Sequence, residues 1–211
     1  MKRHFISTLL PITLLLSGCG TMQLQTNVKM TKDIVLNHTN KQKTIFIEIQ
    51  NLAGNNFNLL PLLKKDLEKK GYKIVDNKYM AKYVLTVKIL FANNLKKALA
   101  IKAGATTGLA GGFIAKAGGH NTGDSILIGA TIALATAAIG SALEDEIYRA
   151  VVEVNIDQKD KTCKHYSPIM GNCYEEQKTR VLAEAVKTNL KLNEALPILS
   201  KKVANKISTI F

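Results

Sequence analysis

Little in this chain invites catalysis. It has four histidines in 211 residues; His4 falls in the extreme N-terminus, and His38, His120 and His165 lie in polar segments without a catalytic partner at a usable spacing. No Gly-x-Ser-x-Gly elbow, phosphate-cradling glycine loop or pair of carboxylates in a local apolar setting occurs. The devices that would activate a nucleophile or seat a nucleotide are therefore missing. Glu144-Asp145-Glu146 reads as the polar edge of an apolar segment. An enzyme is not expected, and neither is a cofactor. Tryptophan is absent and aromatics make up 6% of the chain. Without aromatics interleaved among the basic residues, or a recognised binding motif, nucleic acid is not an expected partner.

Acidic residues are scarce: 16 Asp and Glu stand against 29 Lys and Arg, a formal net charge of +13. A field of that sign attracts polyanions through their charge alone. Lipopolysaccharide phosphates or anionic headgroups suit an exported chain; a solvated basic surface with no specific partner is the alternative.

Export is written at the N-terminus. Lys2 and Arg3 precede an apolar stretch of 12 residues, Phe5 to Leu16, too short and wrongly flanked for a spanning helix. Leu16-Ser17-Gly18-Cys19 closes it with the pattern of a bacterial lipobox. Ser17 and Gly18 are small enough for an enzyme to reach the Cys19 thiol, which takes a diacylglycerol before cleavage between Gly18 and Cys19 and acylation of the new amine. One acyl chain binds a membrane marginally, whereas several anchor it stably. Gly20 stands where an Asp would signal retention in the inner membrane, so the expected destination is the outer membrane. Cleavage leaves 193 residues with a net charge of +11, enough for one medium domain with its own core.

Cysteine is otherwise limited to Cys163 and Cys173. In an oxidising compartment such a pair suits a disulfide across a loop joining two strands. Free thiols are one alternative. A metal held with His165 is another, but three candidate ligands without a fourth make a poor zinc site, and none is expected.

Residues 1–18 are thus a signal peptide and 19–42 a polar, lipidated tether. Residues 43–95 and 144–211 form the two parts of a domain. Ile45, Ile47 and Ile49 alternate with polar or outward positions, which is strand periodicity. Asn58 can cap a helix with Pro61 in its first turn, a stripe of Leu60, Leu63 and Leu67, and a stop at Gly71. Tyr72 to Val75 reads as a short strand, and Tyr83, Leu85, Val87, Ile89 and Phe91 as one face of a longer one. Tyr148, Ala150, Val152, Val154 and Ile156 alternate with Arg149, Glu153 and Asn155 in a further half-buried strand, with 176–188 pairing against it. A last helix follows Asn193, with Leu196, Leu199, Val203 and Ile207 at helical spacing. The expected fold is α+β: a small antiparallel or mixed sheet with two helices on one face.

The two parts are separated by residues 96–143, whose composition occurs nowhere else in the chain. Ala98 to Gly119 is rich in Ala and Gly, and Ile126 to Leu143 is 18 residues without a charge. A polar turn from His120 to Ser125 joins them into a helical hairpin. As a helix the second segment would cover roughly 27 Å, close to the hydrocarbon thickness of a thin bilayer. Small residues recur at every fourth position: Gly104, Gly108 and Gly112, then Ser125, Gly129, Ala133, Ala137 and Ser141. That spacing lets helix backbones approach closely in lipid. Lys102 and Lys116 interrupt the first segment and would have to snorkel. Packing of the hairpin on the soluble domain is the alternative. So few large side chains bury little alone, and association with further copies of the chain is expected in either case.

Several segments, in order along nearly the whole mature chain, resemble the TraT lipoproteins. They are Ser17-Gly18-Cys19-Gly20-Thr21-Met22, Phe46-Ile47-Glu48-Ile49-Gln50-Asn51, Lys70-Gly71-Tyr72-Lys73-Ile74-Val75, the Gly/Ala-rich hairpin, Glu144-Asp145 followed by Tyr148, and Asn189-Leu190-Lys191-Leu192-Asn193-Glu194-Ala195-Leu196-Pro197-Ile198-Leu199. The resemblance implies an oligomeric, surface-exposed outer-membrane lipoprotein that mediates surface exclusion in conjugation and contributes to complement resistance. It supplies no catalytic residues. The chain departs from the family in its Cys163 and Cys173 loop and its strongly basic balance. Competing readings are a structural or pore-forming lipoprotein whose hairpins ring together, and a periplasm-facing accessory factor that uses its basic face on lipopolysaccharide. Surface proteins of another cell are the remaining partner class.

Overall fold

The computed structural model describes residues 23–36, 42–95, 145–159, 166–167 and 172–211. Apolar side chains at every second position make the strands. They are β1 (Gln25–Met30), β2 (Thr44–Asn51), β3 (Lys73–Ile74), β4 (Tyr83–Asn94), β5 (Asp145–Lys159), the two-residue β6 (Tyr166–Ser167) and β7 (Asn172–Thr188). Six of them follow the order β1-β7-β5-β4-β2-β3, and β6 pairs with β7. The sheet is mixed. β2 runs parallel to β3 and β4, because helix α1 (Leu60–Lys69) carries the chain between them. The other neighbours are antiparallel. The longest pairing, β5 with β7, matches Asp145 to Thr188 at one end and Lys159 to Tyr174 at the other.

Two helices cover one face of the sheet, as α1 and α2 (Leu192–Ser208). Leu63 and Leu67 of α1, with Leu196, Leu199, Val203, Ala204 and Ile207 of α2, pack on Tyr83, Leu85, Val87, Ile89, Tyr148, Ala150, Val152, Val154 and Ile156. Each fully buried aliphatic side chain in that layer contributes about 2 kcal/mol of transfer free energy. Beyond both helix C-termini, Tyr72, Tyr83 and Phe211 meet edge to face at 5.4 to 5.9 Å between ring centroids and close that end of the core. The expected α+β class with two helices on one face describes these elements; the hairpin at 96–143 lies outside the described residues.

Local details differ from the sequence reading in four places. The stretch read as a tether, 19–42, contains β1, which pairs along β7 from Gln25 with Val186 to Met30 with Val181. Its alternation is short and its outward residues polar, so it carries little periodic signal. Helix α1 starts after Leu59 with no side-chain cap, one residue beyond the expected Asn58; Leu59 is buried in the core instead. Helix α2 starts after Lys191, whose N–H donates to the Glu194 carboxylate at 3.3 Å, and Pro197 sits inside it, forgoing one hydrogen bond. In β4 the register shifts between Ile89 and Phe91. This bulge turns Phe91 to the opposite face, beside Leu90, and brings Ala92 into the helix-covered core.

The end of α1 behaves as its sequence expects. Gly71 has φ +81°, its N–H donates to the Glu68 carbonyl at 2.9 Å, and Tyr72 N–H donates to the Leu67 carbonyl at 3.0 Å. This pair of bonds satisfies carbonyls that the last turn leaves open. An added Cβ at Gly71 would meet nothing within 4 Å, so substitution is opposed by backbone conformation alone. Gly71→Ala is expected to lower stability by about 1–2 kcal/mol, and Gly71→Asn by less, because Asn tolerates the left-handed region. Denaturant unfolding of the three proteins checks this; equal stability of Ala and Gly forms would remove the assigned role of the turn.

Candidate functional site at the insertion end of the sheet

Three crossings of the chain converge at one end of the sheet. β4 ends at Asn94, paired with Tyr148, and β5 starts three residues earlier at Asp145. Residues 96–144 therefore leave from β4 and return on the adjacent strand at the same end. β1 begins there too, since Gln25 pairs with Val186 and Val186 with Ile147. The residue singled out for lipidation, Cys19, and the small residues Gly104, Gly108, Gly112, Gly129, Ala133 and Ala137 lie outside the described residues. So does Cys163; Cys173 is described as backbone in β7, paired with Tyr166. Among the described residues no three His, Cys, Asp or Glu side chains gather to hold a metal, and no helix is long and apolar enough to cross a membrane.

At this end the sheet face opposite the helices is not an ordinary wet surface. Leu95, Ile147 and Val186 form one buried cluster, and Leu90, Val151 and Leu182, with Phe91 against them, form another. Between the two lies an ion pair. Arg149 and Glu184 face each other across β5 and β7, and both are buried, at 0% and 2% exposure. Arg149 Nε donates to Glu184 Oε1 at 2.6 Å, and Nη2 closes on the same oxygen. Burial pulls the Arg149 guanidinium below its ordinary value, and the Glu184 charge and hydrogen bond pull it back.

Farther along the same face the character becomes polar. Arg180 Nη2 reaches Glu153 Oε2 at 3.3 Å, and Lys178 Nζ reaches Glu176 Oε1 at 2.8 Å. Asp157 stands in register with Glu176, and burial first, then that neighbouring carboxylate, pushes its carboxyl above the usual range. Charged pairs thus occupy the middle of this face, between the apolar clusters at the insertion end and a further buried cluster of Ala81, Val84 and Tyr174, with Phe46 and Val75 against it, at the other.

Sequence alternation assigned Arg149 to an outward, wet position, and this is a correction. Alternation says which face a side chain occupies, not whether that face is dry. The signal that would have found the pair is the register: aligning 176–188 antiparallel to the preceding strand sets Glu184 opposite Arg149.

An α+β domain divided by one long apolar insertion at one end of its sheet is the class these elements define. The chain belongs to the family of enterobacterial TraT complement resistance proteins, whose family model matches residues 23–211. Two curated TraT complement resistance proteins from Escherichia coli are each 28% identical to it. One alignment covers 100% of this chain and 99% of the relative, the other 99% and 98%. A third, from Escherichia coli strain K12, is 27% identical over 99% of this chain and 98% of its own. The family is described by complement resistance, not by an enzymatic activity. A solved structure, a PelC dodecamer from Paraburkholderia phytofirmans, is similar at TM-score 0.33 and 12% identity over 87% of this chain and 98% of that one.

Removing one member of a buried ion pair leaves the other charge dry and uncompensated, whereas replacing both with apolar side chains does not. Glu184→Ala is therefore expected to cost about 3–5 kcal/mol, and Arg149→Met combined with Glu184→Leu to come within about 1 kcal/mol of the unaltered protein or exceed it. Unfolding of the detergent-solubilised proteins measures both. A single variant as stable as the double would mean the pair is solvated in the protein.

Proposed function

We propose that this protein is an outer-membrane lipoprotein, anchored through acylated Cys19 and exposed at the cell surface, that assembles with copies of itself and protects the cell from complement. Surface exclusion between conjugating cells is the second activity that the family resemblance implies. The single observation that carries the reading is the family match over residues 23–211, in order and nearly end to end. The topology supports it: the first strand begins at Gln25, six residues after Cys19, and that strand start shares an end of the sheet with both limits of 96–144. An extended chain covers at most about 3.6 Å per residue, so acyl chains on Cys19 would lie within about 22 Å of that end.

In this reading the apolar hairpin is the membrane and oligomerisation element. Gly104, Gly108, Gly112, Gly129, Ala133 and Ala137 leave room for backbones to meet, while the sheet and two helices supply a separate core. A disulfide between Cys163 and Cys173 belongs to the same picture, as a clasp on the loop at the opposite end. The partners are outer-membrane lipid, further copies of the chain, and lipopolysaccharide or a surface protein of another cell.

Cys19→Ala removes the thiol that accepts diacylglycerol. It is expected to accumulate as unprocessed precursor, and cells carrying it to lose the serum survival conferred by the unaltered protein. Normal acylation, or undiminished survival at matched expression, would overturn the reading. Gly108→Leu tests the hairpin separately: the detergent-solubilised mass should fall toward that of one chain with the melting temperature unchanged. An intact oligomer with a lowered melting temperature would mean that the hairpin packs on the domain instead.

A further inference from the structure

The end of the sheet farthest from the hairpin carries a second feature, basic and partly aromatic. β2 begins there at Thr44, β4 at Tyr83, and β5 ends there at Lys159. Since β5 is 15 residues long, this end stands about 45 Å from the hairpin end, at ~3.3 Å per residue. Both helices also finish here, as the Lys70 Nζ donation to the Ser208 carbonyl at 2.7 Å requires.

The contacts that close this end draw lysines together. Lys73 N–H donates to the Lys43 carbonyl at 2.7 Å, and Lys43 Nζ donates to the Lys70 carbonyl at 3.1 Å while lying 5.3 Å from the centre of the Tyr72 ring. Thr44 Oγ1 donates to the Met80 carbonyl at 3.3 Å, which fixes the short 3-10 turn Lys78–Met80 beside them. That turn is held by Asn77, whose side-chain oxygen accepts from Tyr79 N–H at 2.9 Å. It presents Tyr79 and Met80 at 47% and 67% exposure, with Lys78 Nζ 5.4 Å from the Tyr79 ring. The exposed carboxylate in this stretch is Asp76. Part of the positive charge has a structural use, because lysines near helix C-termini complement the helix dipoles. Lys73 and Lys78 lie outside the helices, and neither Tyr79 nor Met80 is needed for that purpose.

We propose that this distal end is the docking surface for an anionic glycan, a polysaccharide carrying repeated carboxylates or phosphates. Lysines at Lys43, Lys70, Lys73 and Lys78 match charges spaced along such a polymer, and the exposed face of Tyr79 offers a flat apolar surface to a sugar ring. Two observations favour a glycan over a lipid surface. The patch stands at the opposite end of the sheet from the strand start nearest Cys19, out of reach of the headgroups that hold the anchor. It also has one exposed aromatic and one exposed thioether side chain, too few to bury in a bilayer interface. The orientation relative to the membrane rests on the lipoprotein reading above; the patch itself does not.

The test measures retention of full-length, detergent-solubilised protein on immobilised polygalacturonate, with neutral dextran as the reference. The unaltered protein should be retained on polygalacturonate alone and released by salt, since exposed charges are screened. The triple variant K43Q/K73Q/K78Q should lose roughly tenfold in affinity, the order expected of three charge contacts at the protein surface. Tyr79→Ala should weaken binding several-fold with no change in net charge. A control of equal charge, K29Q/K187Q/K201Q, should lose less than about twofold. Equal loss in both triple variants would overturn the proposal in favour of unlocalised attraction, and so would no loss in either. Displacement by phosphatidylglycerol vesicles, but not by soluble polygalacturonate, would assign the patch to a lipid surface. Retention does not require acylation, so failure here and failure of Cys19 processing are told apart.

Discussion

The register between β5 and β7 is the constraint on which the rest depends. It runs without interruption from Asp145 with Thr188 to Lys159 with Tyr174, and the rest of the sheet is built outward from these two strands, β2 and β3 through β4. β1 adds to the free edge of β7, β4 to the free edge of β5, and α2 follows β7 directly. Because side chains alternate between faces, a slip of one residue would exchange the faces of a whole strand. Val152, Val154 and Ile156 would leave the helices, and Arg149 would be driven into the apolar core. The in-register Arg149 and Glu184 pair penalises that slip, since each charge is dry and only this alignment matches them. An ion pair that adds little net stability can still exclude a wrong alignment in this way.

Much of this was legible in the sequence, and the legible parts share a cause. Ile45, Leu85, Val87, Val152, Val154 and Ile156 repeat every second residue because one face of each strand meets the helices. Leu63, Leu67, Leu199, Val203 and Ile207 repeat at helical spacing for the complementary reason. Gly71 announced the end of α1 because a left-handed φ suits few other residues. What escaped reading was set by partners distant in sequence. β1 owes its extended form to β7, some 155 residues away, and its own residues carry little periodic pattern. The bulge at Leu90 is invisible to a period-two template, which continues through it and assigns Phe91 to the wrong face. Arg149 looked wet because nothing local says that the second face of a sheet is buried.

The candidate sites divide in the same way. The expectations of lipidation at Cys19 and of a small-residue spacing in 96–143 rest on local patterns alone and fall on residues outside those described. The distal cluster of Lys43, Lys73, Lys78 and Tyr79 is not a pattern in the sequence at all, since Lys43 precedes β2 and Lys78 follows β3. It exists because a parallel crossover returns the chain to the end from which it started, so residues about 35 positions apart become neighbours. The net charge of +13 therefore understates how the lysines are distributed. Apolar clusters lie on the second face at both ends of the sheet, and the exposed lysines with Tyr79 and Met80 distinguish the distal one.

The placement of residues 96–144 between neighbouring antiparallel strands has a consequence for descent rather than for stability. To the sheet, this segment together with Leu95 is the connection from Asn94 to Asp145, between the ends of two adjacent antiparallel strands. The entropy of closing such a connection grows only with the logarithm of its length, about 0.6 kcal/mol for each doubling. The domain can thus inherit a longer, shorter or chemically different insertion without changing one ladder bond. Lineages that share the sheet are free to exchange the insertion as a cassette, and selection on the insertion and on the sheet can proceed at separate rates.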